Sequence, residues 1–246
     1  MHPILIGYFP RQTAVPKLRP ALPPHVQELC NVGSCAGCAP EDWEDVWLHN
    51  QFWVYDTEML AWGVALQTAN LRRMHDELAR TWDGVCGSVQ RALRKYIEQH
   101  VPPPAPGAEW ASSTPRWQVL AYRLYPNVFV PGGVVPIELP SLEVEPLPAD
   151  YERLGYDPVS VPTPEPGYEG LRGNFAHSSL SPFCNGLCGN IPVNRFCLLD
   201  TEAEGLRRAE EFANGGGEPE PYALVEVWRK RWPASALENR DPVPGA

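Results

Sequence analysis

Proline is the feature that most constrains how this chain can fold. The 246 residues contain 29 prolines and 20 glycines. Proline makes up about 12% of the residues against a typical ~5%, while proline and glycine together reach about 20%, below the ~25–30% typical of wholesale disorder. The chain also has nine tryptophans, and large aromatic residues are scarce in disordered chains. We therefore expect long helices to be rare and the loops to be long but ordered.

Net charge and hydropathy narrow the classes of protein to which the chain can belong. The formal charge of −10 argues against a nucleic-acid-binding protein, because phosphate binding needs a basic face. The only dense basic run, residues 229–231, is interpreted as a solvated strand end. No transmembrane span and no secretory signal are visible, so we predict a cytoplasmic protein without a membrane partner. The 17 arginines against three lysines are typical of GC-rich genomes and favour a bacterial source.

Three segments have the pattern of β-strands. The run PILIGYF begins at residue 3 and is rich in β-branched and aromatic residues, WQVLAYRLY begins at residue 117, and YALVEVW begins at residue 222. Such runs are typical of strands. The segment NVFVPGGVVPIEL, from residue 127, places a Pro-Gly-Gly turn between two β-branched runs and predicts a hairpin.

Helices are predicted at three places. A long helix is expected after Asp56 as its N-cap and a second one over residues 86–100. The pattern F-x-x-x-D-T-E occurs at residues 52–58 and again at residues 196–202, which predicts a third helix capped by Asp200. Each occurrence is interpreted as a strand that enters a helix, and each is followed by a further strand.

Together these patterns predict one α+β domain over residues 1–246, with a possible subdivision near residues 101–116. The expected core is a mixed sheet built from two strand-helix-strand units. Residues 126–192, in which prolines recur, are expected to form a long proline-rich loop layer with short strands.

Seven cysteines make thiol chemistry the first candidate for a functional site. In the cytoplasm thiols stay reduced, so an odd number of cysteines indicates buried thiols, metal ligands or reactive thiols rather than disulfides. The stretch CNVGSCAGC, residues 30–38, resembles the cluster-binding loop of plant-type ferredoxins in its C-x4-C-x2-C spacing. That resemblance covers nine residues and implies a fourth cysteine downstream, whereas the next one, Cys86, lies within a predicted helix.

A structural zinc site fits the cysteine pattern better, because zinc accepts any four cysteine and histidine ligands that the fold brings together. A second group of candidate ligands surrounds the sequence CNGLC at residues 184–188. The candidate zinc ligands are Cys30, Cys35, Cys38, Cys184, Cys188 and His177. Two alternatives remain open: inert buried thiols, and a nucleophilic Cys184 or Cys188 with His177 as its base.

A second enzyme class is suggested by the order of single residues along the chain. The order loosely resembles the ADP-ribosyltransferases, with His2 or Arg11 beside the first strand, Tyr55 before a helix and Glu226 in a late strand. That resemblance implies binding of a nicotinamide dinucleotide. The motifs that accompany such residues are missing, so we expect a binding or partner-recognition protein, with a protein or small-molecule ligand, and keep the enzyme as the alternative.

Overall fold

The computed structural model describes residues 2–13, 23–31, 58, 61, 117–136, 144, 146–161, 177–180, 191–217 and 220–231. Within these residues the chain forms six strands and one α-helix. The strands are β1 (Ile4–Gln12), β2 (Trp117–Val130), β3 (Gly133–Pro136), β4 (Tyr151–Ser160), β5 (His177–Ser178) and β6 (Tyr222–Lys230). The helix α1 (Glu202–Glu211) continues into one wide π-turn, Phe212–Gly216, before β6.

All six strands belong to one antiparallel sheet. Its order is β1-β2-β6-β4-β5, and β3 pairs with the end of β2. The strand β6 is central, between β2 and β4, and every residue from Tyr222 to Val227 is buried. Continuous burial along a strand means that both faces of the sheet are covered.

The two faces are covered by different parts of the chain. One face, called here the Cys30 face, packs Leu120, Tyr122 and Val225 against Cys30 and Phe196. The opposite face, called here the helix face, packs against α1. Contact there is close, since a Cβ atom built on Gly205 of α1 would lie 2.6 Å from Cδ1 of Leu224. Strand alternation assigns each residue of β2 and β6 to one face or the other, whereas a register shift between Arg153 and Gly155 interrupts the alternation in β4.

The predicted fold class is wrong for the described residues, which are mostly antiparallel sheet with one short helix. Residues 196–199 do not form the strand predicted to precede α1. The side chain of Asn194 holds this segment in irregular structure, because its Oδ1 accepts from the N–H groups of Phe196 at 2.9 Å and Leu198 at 3.2 Å. Asparagine favours such local turns over a strand ladder.

The predicted cap of α1 is also wrong, by one residue. Thr201 is the N-cap, and its hydroxyl accepts from the N–H of Glu204 at 3.3 Å. Asp200 instead accepts at Oδ1 from Nδ2 of Asn194 at 3.1 Å. Of the two other predicted helices, only Glu58 and Ala61 are described, both in helical conformation, and Asp56, residues 86–100 and the possible boundary at residues 101–116 lie outside the described residues.

The proline-rich stretch contains a long strand rather than only loops and short strands. Strand β4, ten residues long, pairs with β6 over its whole length despite Pro158. The carbonyl of Pro158 accepts from the N–H of Ser179 at 3.2 Å, on the side away from β6. The N and O atoms of one strand residue point the same way, so the missing N–H of Pro158 removes no bond between β4 and β6. The three strands and the hairpin predicted from the sequence are confirmed.

Candidate functional site

Cys30 is the one predicted zinc ligand whose side chain the structure describes. It is buried, and its N–H donates to the carbonyl of Phe196 at 3.0 Å. Burial raises the pKa of the Cys30 thiol above its usual value, and the neighbouring Glu28 raises it further, while Arg229 and Arg11 act in the opposite direction. The thiol is therefore neutral and packs against apolar neighbours.

The structure does not describe the side chains of the other five predicted zinc ligands. Cys35, Cys38, Cys184 and Cys188 lie outside the described residues, and His177 is described only as a backbone position in β5. Among the residues that the structure describes, no group of three or more His, Cys, Asp or Glu side chains could hold a metal ion.

The residues that resemble an ADP-ribosyltransferase set are not brought together. Arg11 pairs in register with Gln118, whose side chain contacts Arg229 on the Cys30 face. Glu226 pairs in register with Arg123, on the helix face. Arg11 and Glu226 thus lie on opposite faces of the sheet, His2 is exposed near the start of β1, and Tyr55 lies outside the described residues.

Glu226 is the centre of a buried ionic cluster on the helix face. Its side chain is 5% exposed and accepts at Oε2 from Nη1 of Arg123 at 3.1 Å and from Nε1 of Trp228 at 3.0 Å. Arg153 approaches Oε1 at 3.7 Å. The two guanidinium groups also lie over aromatic rings, that of Arg123 over Trp228 and that of Arg153 over Tyr156. Removal of one partner of such a buried pair is expected to destabilise the protein, because it leaves the remaining charge buried without compensation.

Arg229 forms a second ionic cluster, on the Cys30 face. Its Nη1 donates to Oε2 of Glu28 at 2.9 Å and to Oε1 of Gln118 at 3.2 Å. Its Nη2 donates to Oε1 of Glu152 at 3.4 Å. The interpretation of residues 229–231 as a solvated strand end is wrong for Arg229, which is 7% exposed. Strand alternation from Val225 and Val227 is the signal that would have placed Arg229 on the buried face.

Arg11 lies on the same face as Arg229 but, among the described residues, has no carboxylate partner. Its Nε donates to the carbonyl of Leu29 at 3.1 Å, and its Nη2 lies 3.5 Å from Oδ1 of Asn31. The third nitrogen, Nη1, is buried and has no hydrogen-bond partner, as is also true of Nε of Arg229. The hydroxyl of Tyr122 on the same face is also buried without a partner.

The tip of the β2–β3 hairpin is the most exposed apolar feature of the described residues. Every residue from Pro131 to Pro136 is exposed, and Val134 and Val135 are 51% and 42% exposed. Among the described residues, the only other exposed large apolar side chain is Ile4, at 46%. Consecutive residues of a strand point to opposite faces, so the exposure of both valines means that the hairpin projects beyond both layers that cover the sheet.

The hairpin is nevertheless held in a defined position. Gly132 has φ of +80°, which is the value needed at the second central residue of a type II turn after Pro131. Its N–H donates to Oδ1 of Asn214 at 3.0 Å, and Nδ2 of Asn214 donates to the carbonyl of Glu210 in α1 at 2.9 Å. Strand β3 is therefore held in a fixed position relative to α1.

Comparisons with known proteins do not supply a function. No protein-family model matches the chain, and no curated protein or solved structure was found to match it. Within the described part of the chain, no helix is long and apolar enough to cross a membrane.

Proposed function

We propose that this protein is a non-catalytic binding protein that recognises a partner protein through the edge of β3. The observation that carries the proposal is the fixed, projecting hairpin with two adjacent exposed valines. An exposed strand edge is a template on which an extended segment of another chain adds as a further strand. In that binding mode main-chain hydrogen bonds supply affinity and alternate side chains supply specificity.

Charge supports recognition of an apolar strand. Residues 126–136, with the sequence PNVFVPGGVVP, contain no charged side chain, although the whole chain has a formal charge of −10. An apolar strand that adds at this edge therefore does not desolvate any charged side chain of residues 126–136. The shortness of β3 and the prolines at 131 and 136 limit uncontrolled pairing, which is how natural proteins protect exposed edges.

The experiment that tests this proposal is a selection of peptides from a phage-displayed random library on the purified protein. Val134→Lys and Val135→Lys are expected to weaken binding of the selected peptides at least ten-fold, which corresponds to about 1.4 kcal/mol. Ile4→Lys is the matched control, because it places the same charge on an equally exposed apolar residue at a different edge. Peptides that bind the valine variants and the parent protein equally would refute the proposal.

Hydrogen exchange gives an independent measurement of the same surface. Bound peptide is expected to slow amide exchange within residues 133–135, because an added strand pairs with the N–H groups that point away from β2, on a side where β3 pairs with no described strand. Protection confined to other residues would place the binding surface elsewhere.

A structural zinc ion remains part of the proposal, with ligands drawn from Cys35, Cys38, Cys184, Cys188 and His177, because Cys30 is buried among apolar neighbours. Stoichiometric zinc in the purified protein, and a loss of stability on adding a chelator, would support it, since metal binding energy at such a site is folding energy. A metal-free protein whose unfolding is insensitive to the chelator would exclude it. A cytoplasmic location, inferred from the sequence, also belongs to this proposal.

A further inference from the structure

We propose that Asn214 is a site of spontaneous deamidation, and that its deamidation releases the β2–β3 hairpin from α1. Asn214 is followed by Gly215, and the Asn-Gly dipeptide occurs at one other place in the chain, residues 185–186. The structural consequence comes from the hydrogen bonds that join Asn214 to the hairpin and to the helix. The modification does not depend on a partner protein, and only its effect on binding rests on the proposed function.

The chemistry needs only the chain and water. The backbone nitrogen of Gly215 attacks Cγ of Asn214, and the new C–N bond closes a succinimide ring. The attacking nitrogen loses its proton, and the side-chain nitrogen leaves as ammonia. Water then opens the ring at either carbonyl and gives aspartate or isoaspartate. Glycine after asparagine favours the first step, because it has no side chain to shield its nitrogen or to restrict the backbone.

The local structure leaves Asn214 accessible to this reaction. Asn214 is exposed, and it lies in the π-turn after α1 with non-helical φ of −93° and ψ of 18°. Gly215 follows with φ of +112°, and no atom lies within 4 Å of a Cβ built on it. Water therefore reaches Asn214, and the chain beside the Gly215 nitrogen is uncrowded.

The docked hairpin slows the reaction, because both polar atoms of the Asn214 carboxamide are hydrogen-bonded. Its Oδ1 accepts from the N–H of Gly132 at 3.0 Å, and its Nδ2 donates to the carbonyl of Glu210 at 2.9 Å. The carboxamide can turn towards the nitrogen of Gly215 only after these bonds break. Deamidation in the folded protein therefore follows local detachment of the hairpin tip from α1.

The product cannot restore the contact. An aspartate has no N–H to donate, so one of its carboxylate oxygens would face the carbonyl of Glu210, and two acceptors repel each other. The new negative charge also lies just after the C-terminal end of α1, where the helix dipole disfavours an anion. It stands four residues after Glu210, a spacing at which like charges destabilise. Isoaspartate adds a methylene to the backbone and displaces the carboxylate. Either product leaves the N–H of Gly132 without its acceptor.

The first test measures how fast Asn214 deamidates in the purified full-length protein, in buffer and in urea. Peptide mapping by mass spectrometry follows Asn214 and Asn185 separately. In urea the two Asn-Gly pairs are expected to deamidate at similar rates. In buffer Asn214 is expected to react at least about ten-fold more slowly than in urea, because the hairpin holds its carboxamide. Equal rates in buffer and urea, or an Asn214 that stays intact in urea while Asn185 reacts, would overturn the proposal.

The second test measures amide exchange of Gly132 by NMR in isotope-labelled protein. Its N–H is expected to exchange about ten-fold faster in Asn214→Asp, and in aged protein that carries isoaspartate, than in the parent protein. Asn214→Ala supplies the rate for a hairpin that has lost the carboxamide without gaining a charge. Asn185→Asp is the matched control, because it adds the same charge at the other Asn-Gly pair, and it should leave the exchange of Gly132 unchanged.

Three results of the exchange experiment would contradict the proposal. Parent-like exchange of Gly132 in both Asn214→Asp and the aged protein would show that deamidation does not release the hairpin. Parent-like exchange in Asn214→Ala would show that the side chain does not hold the hairpin at all. Equal acceleration in Asn185→Asp would assign the effect to charge rather than to the lost contact. Neither test uses a peptide ligand, so their failure is distinguishable from a failure of the hairpin to bind a partner.

Discussion

Replacement of Gly155 by alanine tests the geometry of the sheet where Leu199 pairs with Tyr156 of β4. Gly155 has φ of +156°, and a Cβ atom there would lie 2.6 Å from the carbonyl oxygen of Leu199 and 2.8 Å from Cβ of Leu198. Real Cβ atoms do not approach other atoms so closely. Something must move, and the nearest atom belongs to the backbone.

The backbone near Gly155 is held on both sides. The Leu199 carbonyl accepts from the N–H of Tyr156 at 2.9 Å, and the Leu199 N–H donates to the carbonyl of Tyr156 at 2.9 Å. A shift that relieves the clash therefore weakens this pair of hydrogen bonds. Overpacking a core costs roughly 1–3 kcal/mol, and a side chain in a backbone region reserved for glycine costs of order 1–3 kcal/mol more. We expect Gly155→Ala to lower the free energy of unfolding by about 3 kcal/mol or more.

Thermal unfolding followed by circular dichroism measures the effect. For a chain of this size each kcal/mol lowers the melting temperature by roughly 2–4 °C, so the expected decrease is roughly 6–12 °C. Gly132→Ala is the matched control, because Gly132 has φ of +80° but no atom within 4 Å of the added Cβ. Its cost is the backbone cost alone, roughly 1 kcal/mol. If Gly155→Ala lowers the melting temperature no more than Gly132→Ala does, the close approach of Leu198 and Leu199 to Gly155 is wrong.

Two further predictions concern the cap of α1 and the buried thiol. Thr201→Ala should lower the free energy of unfolding by about 1 kcal/mol, because the helix loses its cap; urea unfolding measures this. Asp200→Ala should lower the free energy of unfolding by less. The reverse order would contradict the assignment of Thr201 as the cap. Cys30 should resist iodoacetamide at pH 8 in the native protein and react after unfolding, because burial raises its thiol pKa. Peptide mass spectrometry measures the labelling. Rapid labelling of the native protein would show that Cys30 is accessible.

The sequence predicts the strands whose pattern is local. Residues 4–12, 117–130 and 222–230 are rich in β-branched and aromatic residues, and the Pro-Gly-Gly turn marks the hairpin. Strand β4 was missed because Pro158 and several charged residues hide its pattern. A strand that contains proline can lie inside a sheet only if the missing N–H does not face a strand that needs it. Pro158 faces Ser179 rather than β6, and the sequence does not show this.

The candidate site was less accessible to sequence reasoning than the fold. Cysteine spacing directed attention to thiols, and Cys30 is buried and neutral. The contrast between Arg11 and Arg229 depends on whether Glu28 and Glu152 reach one arginine or the other, which local patterns do not reveal. In the sequence, the only signal at Arg11 is its position beside the first strand. The exposure of Val134 and Val135 was equally hidden, because an exposed β-branched hairpin and a buried one have the same sequence pattern.

The order in which the strands are made has a consequence for how the protein folds in the cell. Strands β2 and β4 each pair with β6 rather than with each other, and β6 is the last of the described strands along the chain. While the ribosome is still making residues 131–221, the edges of β2 and β4 that will face β6 have no native partner. Pairing of Leu120 with Arg229 then closes a loop of more than 100 residues, and such non-local contacts form slowly. A chain that is truncated or cleaved before residue 222 therefore exposes two open strand edges, and we expect it to depend on chaperones and to aggregate.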